Sequence, residues 1–191
     1  MKHYYIPFDL SANINYLYLF SLYDIAEYNE TNNTFDTIHY KSIKQLAEML
    51  NISASTMNKI IKDKEYNNFL SIDKENKKII LNNNFNKTNT EKKNKPFILL
   101  NDIQVKVLSH YKDNLLCKYF IYIKYFCGYS KSKQQDFTAK QFLQFCGYSI
   151  KSNDNITRIS NYNNILTRNK LIKINHYTDD LGHLRNIYIV K

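Results

Sequence analysis

Asn153, Thr157, Asn161, Asn164 and Arg168 follow one another at steps of four, four, three and four. At about 100° per residue these steps put them on one side of a helix. Their types suit reading base edges. An Asn amide can pair bidentately with adenine, an Arg guanidinium with guanine, and a Thr hydroxyl with either. Asp and Glu are missing from that face, as expected where a surface meets phosphates. Ile159, Tyr162 and Leu166 fall on the opposite side with Ile156 flanking, which is the pattern of a helix resting on a core. Arg158 adds a further cation to the same helix.

An earlier segment repeats the theme with different chemistry. Met57, Ile60 and Ile61 mark a buried face, while Ser55, Lys59, Lys62 and Tyr66 lie outward with Asn58 beside them. Lysine-rich contacts favour positioning on phosphates over discrimination between bases. Asp63 and Glu65 sit at the end of that helix and work against this. Two hairpin turns supply the remaining candidates. One presents Lys74, Lys77 and Lys78; the other presents His176, His183 and Arg185 around Gly182. Cations on such turns can lie along phosphates or enter a narrowed minor groove. His176 and His183 could meet across their turn, but no third ligand accompanies them, so no metal is expected.

Catalytic patterns are missing. The chain has no H-E-x-x-H, no G-x-x-x-x-G-K-[ST] and no G-x-S-x-G, and its three glycines exclude a glycine-rich nucleotide cradle. The adjacent carboxylates Asp179 and Asp180 sit in a turn. The expectation is a protein without enzymatic activity, cofactor or small-molecule ligand.

These residues need helices and hairpins to hold them, and the chain supplies such a set twice. Ser42-Ile43-Lys44-Gln45-Leu46-Ala47-Glu48-Met49-Leu50 matches Thr138-Ala139-Lys140-Gln141-Phe142-Leu143-Gln144-Phe145-Cys146 in pattern, 96 residues later. Each copy opens with a hydroxyl residue fit to cap a helix. Each is followed by a turn, a second helix (54–65 and 152–169) and two strand-like runs (69–72 with 78–81, and 171–174 with 184–190). Helices are also expected over 12–30, 102–112 and 114–129, a short strand over 37–40, and a loop over 131–135. The helix 114–129 is apolar on most sides and reads as the core of its unit or as a surface between units or protomers. Phe-Cys-Gly-Tyr-Ser occurs at 126–130 and 145–149, each time at a helix end, which is shared termination chemistry or coincidence. The fold class expected is mainly α with small β-hairpins (α+β). The domains expected are 1–82 and 97–191, joined by a polar linker over 83–96.

Composition and charge set the bounds. A hydrophobic fraction of 43% with 15% aromatics indicates folded protein, although the wealth of Asn, Lys, Ile and Tyr also fits AT-rich codons. Residues 1–90 carry 10 Lys and 10 acids, whereas residues 91–191 carry 14 Lys and 3 Arg against 7 acids. The whole surplus of +10 therefore lies in the second half, and such a surplus attracts polyanions. Three cysteines without a C-x-x-C pair read as small buried hydrophobes in a reducing compartment. No leader segment or membrane span is evident, because Lys118 and Lys124 break the most apolar stretch, so the expected location is cytoplasmic.

Helix, turn, helix and hairpin, taken twice over 37–82 and 136–190, resembles the tandem winged-helix DNA-binding proteins of bacterial plasmids, phages and other mobile elements. The likeness is one of pattern. It implies two winged helix-turn-helix units and a sequence-specific duplex DNA-binding role, as a replication initiator or transcriptional regulator. It also implies recognition helices reaching successive major grooves, and a homodimer in which the acidic segment 1–36 could serve as the contact. The alternative is a winged-helix protein-interaction module, such as a primosome adaptor or phage accessory factor, without specific DNA binding.

Overall fold

The computed structural model describes residues 2–11, 13–30, 34–81 and 97–191. Over these residues the chain is mixed α+β, with seven α-helices and small antiparallel sheets. Packing divides it into two units, Met1–Pro7 with Asn13–Asp102 and Phe8–Ala12 with Ile103–Lys191. The expected linker 83–96 lies outside the described residues.

In the first unit β1 (His3–Pro7) precedes α1 (Tyr16–Ile25), β2 (Glu27–Asn29), β3 (Thr34–His39), α2 (Ile43–Met49), α3 (Ala54–Lys62), β4 (Leu70–Asp73), β5 (Lys78–Leu81) and β6 (Phe97–Asn101). In the second, α4 (Asp102–His110) and α5 (Asn114–Tyr129) precede β7 (Gln134–Asp136), α6 (Ala139–Phe145), α7 (Asn153–Arg168), β8 (Ile172–Thr178) and β9 (Leu184–Val190). The main sheets run β2-β3-β5-β4 and β7-β9-β8. In both, the strand before the helix pair joins the last strand of the following hairpin, Ile38 opposite Ile79 and Gln135 opposite Tyr188.

The 96-residue repeat is a helix together with both of its ends. Ser42 Oγ accepts from the Gln45 N–H at 3.2 Å, and Thr138 Oγ1 accepts from the Gln141 N–H at 3.2 Å. Gln141 Oε1 returns the bond to the Thr138 N–H, completing a capping box, whereas Gln45 Oε1 accepts from Lys41 one residue earlier. At the other end Asn51 and Gly147 both adopt positive φ, 53° and 74°. Their successors Ile52 and Tyr148 donate to Ala47 O and Leu143 O. That geometry satisfies the last carbonyls, and Gly and Asn tolerate it best. Leu46, Ala47 and Leu50 are buried, as are Phe142, Leu143 and Cys146. The capping serines of the second helices, Ser53 and Ser152, stand 99 residues apart instead of 96, so the second turn is three residues longer.

Several elements depart from the sequence reading. The helix expected over 12–30 is only α1, because Asn15 Oδ1 caps it by accepting from the Leu17 N–H and the chain turns extended at Ala26. The apolar run continues past the helix into buried Ala26, so helical spacing overstated its length. The helix expected over 54–65 stops at Lys62, where Asp63 caps a separate 3₁₀ turn, Lys64–Asn68, and Tyr66, expected outward, is buried there with its hydroxyl accepting from the Asn15 N–H. The loop expected over 131–135 holds most of β7, too polar to show strand alternation. Residues 97–101 pair with β1, from Tyr4 opposite Leu100 to Pro7 opposite Phe97, and so belong to the first unit. The two Phe-Cys-Gly-Tyr-Ser copies do different things: Gly147 ends α6 with positive φ, while Gly128 lies inside α5.

Helix α5 is the core of its unit, with ten of its sixteen residues buried. Lys118 is among them, its ammonium donating to Ser11 O at 2.7 Å. All three cysteines are buried thiols. Burial pushes Cys146 up to about 12 and Cys127 up to about 11. Among the described residues no helix is long and apolar enough to cross a membrane. Phe142 is fully buried against Tyr119 and Tyr122, so Phe142→Ala should cost about 3–5 kcal/mol, read as a lower urea midpoint of unfolding.

Candidate nucleic-acid interface

The second unit presents α7 as the spacing of its residues requires. Asn153, Thr157, Arg158, Asn161, Asn164 and Arg168 are all exposed, while Ile159, Tyr162 and Leu166 are buried. The side facing solvent is thus a stripe of amides and a hydroxyl ending in a guanidinium. One carboxylate stands against it: Asp154 is exposed in the first turn, about 20° around the helix from Asn161 and about 60° from Thr157. The expected absence of acid from that face therefore fails at its N-terminal end, where Asp154 shares it. An acid in that turn complements the helix dipole.

Two polar junctions fix the rotation of α7, and sequence reasoning found neither. Asp113 caps α5, accepting from the backbone N–H groups of Leu115 (2.9 Å) and Leu116 (3.4 Å). The same carboxylate accepts from the Tyr162 hydroxyl and from Arg158 Nη2 at 3.0 and 3.1 Å. Burial works to raise the Asp113 pKa, but these bonds and the cation outweigh it and hold the carboxyl below its usual range. The second junction is Asn163. Its Oδ1 accepts from the Tyr119 hydroxyl of α5 at 2.8 Å, and its Nδ2 donates to the Tyr188 oxygen of β9 at 3.3 Å. An acid directly before an apolar helix was the available signal for Asp113. Asn163 offered none, because nothing in its neighbours marks it off from the exposed asparagines.

Arg158 is consequently directed at Asp113, and its charge is neutralised there. Arg168 has no ion-pair partner among the described residues. Beside α7 a groove of about 270 Å³ opens toward β9, with Thr138, Ser160, Asn163, Arg185 and Asn186 on its walls and Ile156 and Ile159 below.

The hairpin after α7 is built differently from the expectation. Arg185 Nε donates to Asp179 Oδ2 at 2.8 Å, and Asp179 Oδ1 accepts from the backbone N–H groups of His183 (2.8 Å) and Leu181 (3.1 Å). The His183 N–H and then the Arg185 guanidinium hold the Asp179 carboxyl at about 2. Gly182 takes φ 80° at the turn. The result is a tip whose arginine is spoken for and whose exposed residues include Leu181 (79%) and Leu184 (72%) beside Asp180 and His183.

In the first unit Ser55, Asn58, Lys59 and Lys62 are exposed on α3 and, with Asp63, border one shallow depression. The Asn58 amide donates to Ala54 O at 3.0 Å. Lys77 stands exposed at positive φ in the β4–β5 turn, its carbonyl accepting from the Tyr40 N–H.

No protein-family model, curated protein or solved structure matches the chain.

Asp113 gives an acid-dependence whose sign is fixed. Its pKa is lowered by folding, so its contribution is complete above the unfolded value near 3.9 and is lost as pH falls through the folded value. Asp113→Asn should be less stable than the parent by a margin that is constant from neutrality to about pH 4 and shrinks below it. Urea unfolding at stepped pH reads this; a margin independent of pH would remove the carboxylate from the account.

Proposed function

We propose that this chain is a sequence-specific duplex DNA-binding protein made of two tandem winged helix-turn-helix units, acting in replication or transcription control of a mobile element. The observation that carries the reading is the exposed Asn153-Thr157-Asn161-Asn164-Arg168 stripe on α7, on a helix whose rotation is pinned by Asp113 and Asn163. Its groups match the edges of A·T and G·C pairs in a major groove. The sheet orders support the winged-helix part. Each unit runs helix, strand, helix, helix, hairpin, with the first strand paired to the last, as β3 with β5 and β7 with β9. The surplus of +10 in residues 91–191 supports a polyanionic partner. In this reading α7 discriminates bases, Lys59, Lys62 and Lys77 engage phosphates, and Arg158 and Arg185 hold elements in place. A homodimer would let paired units meet a palindrome.

The hairpin tip favours a second reading for part of the molecule. Leu181 and Leu184 are apolar and exposed, and Arg185 is ion-paired beside them, as suits a protein-interaction module better than a phosphate clamp.

Fragmented source DNA, incubated with the protein and recovered by sequencing, tests the proposal. Enrichment of repeats or of a palindrome is expected, and none at low salt would refute it. On the recovered site, Asn161→Ala and Arg168→Ala should each weaken binding by about 1–3 kcal/mol. Loss of a phosphate contact at Lys59 or Lys62 by alanine should instead flatten the slope of log K against log salt, by about 0.9 per contact.

A further inference from the structure

The aromatic rings at the ends of α5 and α6 exceed what the core of the second unit covers. Tyr129, Tyr125, Phe8 and Phe145 form a row, with successive ring centroids 4.7, 3.7 and 5.8 Å apart. Phe8 and Tyr125 in the middle stack within 10° of parallel. The ends of the row are open: Tyr129 is 66% exposed and Phe145 52%. Side chains left in water to that degree contribute little burial to folding, so the fold alone does not account for them.

Two exposed lysines lie close in the chain to the ends of the row. Lys131 is exposed two residues beyond Tyr129, which keeps their backbones within about 7 Å. Lys151 is exposed next to the half-exposed Ile150 that follows α6. Of the acids near these stretches, Asp136 accepts from the Tyr177 hydroxyl at 2.8 Å and Asp9 from the Ser11 N–H at 3.1 Å, while Asp154, three residues beyond Lys151, is exposed. Exposed rings with lysines nearby in the chain, and no amide stripe of the α7 kind, make a surface that takes flat apolar rings on an anionic chain. Bases in a duplex have their faces already covered by one another, whereas unpaired bases offer theirs. Stacking of this kind tolerates any base, because every base has a π-face.

We propose that the second unit carries a site for single-stranded DNA on this aromatic row, with bases stacked on Tyr129 and Phe145 and the phosphates followed by Lys131 and Lys151. The site is distinct from the α7 stripe and rests on observations independent of the duplex reading.

The test is fluorescence anisotropy with a labelled oligo(dT) of about 20 nucleotides, beside oligo(U) and a duplex of equal length. Tyr129→Ala and Phe145→Ala should each weaken oligo(dT) binding about tenfold, while Tyr129→Phe, which keeps the ring, stays within about twofold. Duplex binding should be unchanged in all three, and the melting temperature unchanged in the two Tyr129 variants, which separates loss of the site from loss of the fold. Absence of oligo(dT) binding at low salt, alanine variants that bind as the parent does, or a clear preference for oligo(U) would each overturn the proposal. So would alanine variants that sediment as a smaller species with oligo(dT) affinity intact, since the row would then be a contact between copies. Failure here with duplex sites still enriched leaves the proposed function standing; oligo(dT) binding without any enriched duplex sinks the proposed function alone.

Discussion

The carboxylate of Asp113 is the constraint on which the second unit turns. It accepts two backbone donors at the start of α5, one phenol and one guanidinium from α7. The apolar face of α7 alone would fix which side is buried, but an apolar stripe allows some rotation and sliding. A carboxylate with several partners allows neither, because a displaced helix would leave half-buried polar groups without bonds. Asn163, bridging Tyr119 and Tyr188, imposes a second condition farther along the same helix. Between them the two junctions set the position of five solvent-facing side chains that touch neither.

The two units share a scaffold and differ in what they place on it. The repeated helix keeps its caps, its buried positions and its left-handed exit at an offset of 96 residues. The hairpins have diverged. The first turn offers Lys74 and Lys77 to solvent, with Asp73 tied back to Asn76. The second spends its arginine on Asp179 and offers leucines. A scaffold held by backbone bonds and small apolar contacts tolerates such changes, since tip residues support nothing beneath them.

Much of this was legible in the sequence. The boundaries of α5, α6 and α7 and the outward stripe on α7 follow from capping residues and a 3.6-residue period, which are local. The rest depends on distant partners. β7 is three polar residues that become a strand only because Ile187 to Ile189 lie beside them. β6 reads as the opening of a new domain until β1, more than ninety residues away, pairs with it. Arg158 and Arg185 are indistinguishable from free cations in the chain, and their carboxylate partners lie 45 and six residues away. Charge counted along the sequence therefore overstates what the surface offers, and most for arginine, whose planar fork is suited to bidentate capture by a nearby acid.

That difference bears on how a surface like α7 would discriminate. Of the arginines expected on or near it, only Arg168 is left without an ion-pair partner among the described residues. The remaining stripe is neutral and carries amide and hydroxyl groups that both donate and accept. A neutral polar group gains little from a partner that merely carries charge, because water solvates it equally well, and it gains only where donors and acceptors meet in register. The lysines scattered over the second half would supply a polyanion with long-range attraction that falls with salt and is indifferent to sequence. Affinity and discrimination would then reside in different side chains, and a wrong site would be rejected by unmet amides instead of by a clash.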